Sequence, residues 1–142
     1  MTRRARLLGG LTAACIAATA QAQSVLCHLS YGGETKVVEA RPSTDPYSVA
    51  PVAVGSYFLF RIVFRQEPAD LAGIKLYAYA DRDAGPVLIH QASYRYPPAA
   101  TLPHGDAPRQ PDYGFSGLHF VYEPVRDGEL QYWCELKDTA AK

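Results

Sequence analysis

Apolar and polar residues alternate with a period of two along most of the chain after residue 23, as half-buried strands require. The clearest run is 54–65, VGSYFLFRIVFR. Phe58, Phe60, Ile62 and Phe64 fall on one side, and Tyr57, Leu59, Arg61, Val63 and Arg65 on the other. The first set is the expected core. Residues 73–80 alternate again, with Ile74, Leu76, Ala78 and Ala80 inward and Lys75, Tyr77 and Tyr79 outward. Further strands are expected at 24–31, 34–40, 87–96, 115–122 and 128–136. Gly32-Gly33 reads as a hairpin turn, because both central residues of the favoured turn need positive φ. Residues 41–51 hold three prolines and read as a loop or broken edge strand. Residues 66–71 read as a turn with room for one helical turn. No stretch carries a convincing helical period.

About seven short strands without a helix predict an all-β domain, an antiparallel β-sandwich. The alternative is a small β-barrel. The pattern resembles immunoglobulin-like architecture at a coarse level only. No Trp follows the first strand's Cys at the usual spacing, and the cysteines sit in the two terminal strands.

The opening 22 residues break the alternation. Arg3, Arg4 and Arg6 precede an apolar stretch from Leu7 to Ala20, and Ala20-Gln21-Ala22 fits the small-x-small cleavage rule. The expected organisation is a signal peptide over 1–22 and a single domain over 23–142. The apolar stretch is shorter than the ~20 residues a spanning helix needs, and no later segment in the sequence is long and apolar enough to span. Export to the periplasm is the expectation, with secretion the alternative. Cys15 follows a faint lipoprotein-like sequence, but Thr12 stands where an aliphatic residue belongs.

Export changes the reading of the cysteines. Without Cys15, Cys27 and Cys134 remain, and an oxidising compartment makes them a disulfide. Each shares its strand face with apolar residues: Val25 and Leu29 beside Cys27, Tyr132 and Leu136 beside Cys134.

The whole chain has 14 basic and 14 acidic residues. That balance carries no electrostatic footprint for nucleic acid. Five prolines fall in 97–112, so this connection is too long and irregular for a tight turn, and such loops are often functional.

Ten tyrosines suggest recognition, since Tyr offers a stiff apolar surface with a polar tip. The candidate binding residues are Tyr77, Tyr79, Tyr94, Tyr96, Tyr113, Trp133 and Arg61. The expected partner is a protein or a glycan. A second candidate is a Cu or Zn site on His90 and His119. If the hairpin around 97–112 folds symmetrically, these two face each other, and the neighbouring hairpin puts Tyr77 or Tyr79 beside His90. A third ligand would have to come from His104 or a carboxylate. Asp81-x-Asp83-x-Gly85 resembles the start of a calcium loop, but the downstream Glu is missing, and a β-turn explains the same residues. No nucleophile motif or phosphate loop occurs, which leaves a small enzyme as the third reading. No cofactor is implied.

Overall fold

The computed structural model describes residues 22–98 and 112–139. The leader up to residue 21, with Cys15, lies outside the described residues, as do 99–111 of the Pro-rich connection, with His104.

Two antiparallel four-stranded sheets face each other. In sheet A the order is β2 (Glu34–Ala40), β1 (Ala22–Tyr31), β8 (Gly128–Thr139) and β7 (His119–Glu123). In sheet B it is β3 (Val52–Val54), β4 (Phe58–Arg65), β5 (Gly73–Ala80) and β6 (Val87–Arg95). A single 3₁₀ turn, Ala69–Leu71, links β4 to β5 among the described residues. The architecture is a β-sandwich, as the alternation predicts.

Several boundaries differ from the sequence reading: β1 starts at Ala22 rather than 24, and β8 runs on to Thr139 rather than 136. The run 54–65 is two strands, because Gly55 takes φ 58° and turns the chain before Phe58. A Cβ at Gly55 would lie 2.3 Å from the Tyr31 ring, so the turn packs tightly on β1. The strand expected over 115–122 begins only at His119. Residues 113–117 instead fold into turns against β8, where the Phe115 N–H donates to the Cys134 carbonyl at 3.0 Å. That close approach requires glycine at 114, whose added Cβ would meet the same carbonyl oxygen at 2.1 Å. The strand expected over 87–96 ends at Arg95.

The core is the facing surface of the two sheets. Phe58, Phe60, Phe64, Ile74 and Leu76 come from sheet B, and Val25, Leu29, Leu130 and Tyr132 from sheet A, all fully buried. Each such side chain contributes roughly 1.5–3 kcal/mol on leaving water. Cys27 and Cys134 stand directly opposite in the β1–β8 register, with Cα atoms 4.1 Å apart, and form a disulfide. The bridge ties the terminal strands within one sheet.

One end of the sandwich is fastened by charge. Glu123 is buried, with a side chain 1% exposed, and accepts from the Arg82 guanidinium at 2.9 Å and from the Arg126 N–H at 2.8 Å. Arg126 donates in turn to the Asp81 carbonyl and lies over the Tyr57 ring. Burial pushes the Glu123 carboxyl up. The hydrogen bonds from Arg126, Arg82 and Val125, with the Arg82 charge, outweigh that, so it titrates below its ordinary value.

Candidate functional site

The residues proposed as one binding set separate into three places. Tyr77, Tyr79 and Arg61 share the outer face of sheet B. Tyr94 and Tyr96 point into the edge of the sandwich. Tyr113 and Trp133 meet on the outer side of sheet A, ring edge to ring face at 6.2 Å, with His28 stacked on the indole at 3.9 Å. His28 is held there by Glu135, at 2.9 Å.

Strand parity explains the separation. In the β5–β6 register, Tyr94 stands opposite buried Ile74, and Tyr77 opposite exposed Gln91. Tyr94 and Tyr77 therefore lie on opposite faces. Tyr96 packs its ring on Phe64 at 5.0 Å, and its hydroxyl bonds Gln23 and accepts from Gln66. Both tyrosines belong to the packing of the domain.

The same parity corrects the row expected around His90. Its partner on β5 is Ala78, so Tyr77 and Tyr79 are on the other face. His90 and His119 are close, with ring centroids 5.5 Å apart, but not as cross-strand neighbours in a hairpin. β6 and β7 are edge strands of different sheets, and the two imidazoles meet across the gap between them. A bulge lies beside Ala78, in the strand that carries His90. Ile89 is the extra residue, and it packs toward the core next to His90.

A polar network surrounds this pair. His90 Nε2 is 2.7 Å from the Tyr132 hydroxyl, which is fully buried. His119 Nε2 is 2.8 Å from the Tyr94 hydroxyl and 3.0 Å from the Ser116 carbonyl oxygen. Burial, then the nearby His119 charge, lowers the His90 pKa. Burial raises those of Tyr94 and Tyr132. Both Nε2 atoms are engaged. No cluster of three His, Cys, Asp or Glu able to hold a metal ion occurs among the described residues.

The outer face of sheet B carries different chemistry. Register makes it a grid of three rows: Arg61–Tyr77–Gln91, Val63–Lys75–Ser93 and Arg65–Gly73–Arg95. A groove of about 380 Å³ crosses it, walled by Pro46 and Tyr47 on one loop and by Asp70 and Leu71 on another. Glycine at 73 leaves the third row without a side chain at its centre. Arg61 lies over the Tyr77 ring, 4.5 Å from its centroid, and Tyr79 follows Tyr77 at 6.4 Å with planes 24° apart. Arg61, Arg65, Lys75 and Arg95 make no ion pair among the described residues. The Nε atoms of Arg61 and Arg65 are buried without a hydrogen-bond partner.

Of the residues lining this groove the sequence reading names Arg61, Tyr77 and Tyr94; Tyr79 stands beside Tyr77 outside the lining. The sequence reading leaves out Arg65, Lys75 and Ser93, although Arg65 and Lys75 alternate on the same outward faces. Tyr47, 92% exposed, sits in a Pro-rich loop with no period to mark it. Phe120 and Tyr122, exposed on the edge strand β7, are also absent from the sequence candidates.

No protein-family profile matches the chain, and no curated protein or solved structure matches it significantly. No helix among the described residues is long and apolar enough to cross a membrane.

Proposed function

We propose that the protein is an exported, non-catalytic binding module that takes a partner protein or glycan on the outer face of sheet B. Tyr77, Tyr79 and Arg61 form the contact. The observation that carries this reading is the groove itself. It brings Tyr77 together with cations that have no ion-pair partner among the described residues, and Tyr79 stands beside Tyr77 on the same outer face. Exposed Tyr and Arg are the residue types most often found at the energetic centre of interfaces. The basic, apolar, small-residue leader and the Cys27–Cys134 disulfide support export to the periplasm, or secretion, since disulfides persist in oxidising compartments.

The test is a double substitution, Tyr77→Ala with Tyr79→Ala. It is screened in parallel with the parent protein against a panel of oligosaccharides and of peptides. Binding to whichever class the parent recognises is expected to fall sharply, with the melting temperature nearly unchanged. Full binding by the double variant would overturn the assignment of this face.

A further inference from the structure

We propose that the groove on sheet B takes an acidic polysaccharide. Its carboxylate or sulfate groups meet Arg61, Arg65 and Lys75, and its sugar rings lie on Tyr77. This rests on the reading of sheet B as the binding face, and it names the ligand class.

Charge carries the first step. Three cations line the groove against one carboxylate, Asp70, among the described residues. Among the described residues outside the groove, Arg82 pairs with Glu123 and Arg126 donates to the Asp81 carbonyl. In the groove no acid lies within ion-pairing distance of Arg61, Arg65 or Lys75 among the described residues. The Nε atoms of Arg61 and Arg65 are buried without a hydrogen-bond partner, as is that of the ion-paired Arg82. Guanidinium groups present a planar fork that matches carboxylate and sulfate oxygens two at a time. Arg95 adds a further cation at the margin of the same grid.

Topology carries the second step. β5, the floor of the groove, is hydrogen-bonded to β4 on one side and β6 on the other. No free backbone ladder is available there for an added peptide strand. Recognition must come from side chains reaching up from the sheet face. Tyr77 and Tyr79, spaced two residues apart, add apolar ring surface with polar hydroxyl tips beside the cations.

The test measures binding of the oxidised protein to five immobilised probes. Heparin is sulfated, polygalacturonate carboxylated and dextran neutral; poly-glutamate and a single-stranded oligonucleotide are the other polyanions. Binding to heparin or polygalacturonate is expected, weakening as salt rises. The stronger of the two identifies the acidic group. Arg61→Gln and, separately, Lys75→Gln should each weaken that binding about tenfold or more, the scale of one lost charge-assisted hydrogen bond. Lys75 is exposed, so its variant keeps the test valid if the Arg61 variant folds poorly. Dextran bound as tightly as the acidic chains, poly-glutamate or the oligonucleotide bound more tightly, or binding indifferent to both substitutions would each overturn the proposal. Dextran binding that is lost in the Tyr77, Tyr79 double variant but kept in the charge variants would leave the face standing and sink only the acidic class. Failure of both polysaccharides to bind at low salt would sink the acidic class too.

Discussion

The imidazole of His119 lies flat on the ring of Tyr132, with centroids 4.8 Å apart and planes 7° from parallel. This stack joins the edge strand β7 to the buried face of β8. His90, reaching in from the other sheet, bonds the same tyrosine's hydroxyl. The two sheets are thus connected at this edge through two imidazoles and a phenol.

That connection predicts a pH dependence. Burial and the neighbouring His119 hold His90 below its ordinary pKa of 6.5. The unfolded chain therefore binds this proton more readily than the folded one. The stabilising contribution is complete above pH 6.5 and is lost as pH falls through that value toward the lowered one. Melting temperatures measured from pH 8 down to pH 5 should decline in the parent protein. They should decline less in His90→Gln.

The Tyr132 hydroxyl tests the same network without touching charge. Tyr132→Phe keeps the ring stack and leaves His90 without its partner. A cost of roughly 0.5–1.5 kcal/mol is expected in denaturant unfolding. A neutral or stabilising change would mean that water takes over the bond at no cost.

The disulfide closes a loop of 107 positions. Removing it with Cys27→Ala and Cys134→Ala should lower stability by up to roughly 4–5 kcal/mol, the limit of the chain-entropy model. Urea unfolding of the parent and the double variant gives the difference.

Gly114 offers a sharper local prediction. It has φ 56°, and a Cβ would sit 2.1 Å from the Cys134 carbonyl oxygen. Gly114→Ala must displace the 113–117 turn from β8 and weaken the Phe115–Cys134 hydrogen bond. A loss of more than ~1 kcal/mol is expected. Faster hydrogen exchange at the Phe115 amide would show where the structure gives way.

The sandwich and its core were legible because burial imposes a period of two. Phe58, Phe60, Ile62, Phe64, Ile74 and Leu76 were all assignable from alternation alone. Cys27 and Cys134 followed from their apolar strand faces. Side-chain partners were less legible. A symmetric hairpin put His90 opposite His119 in one sheet, whereas the connection after β6 carries the chain to the other sheet. The rings are still close, because edge strands of the two sheets approach there. The facing of Tyr94 is ambiguous in the sequence, and its pairing with Ile74 fixes it. The one-residue bulge at Ile89 left no mark in the pattern. The cationic groove was half visible: Arg61, Arg65, Lys75 and Tyr77 share outward positions, but only strand register makes them neighbours.

The central claim is that the outer face of sheet B is the binding surface. The most direct measurement is a two-dimensional ¹H–¹⁵N NMR titration of the oxidised protein with an acidic oligosaccharide. Perturbed amides are expected along β4 and β5, around Arg61, Lys75 and Tyr77, and across to Ser93, with sheet A quiet. Perturbations centred on Trp133, Phe120 and Tyr122, or none at saturating ligand, would contradict it.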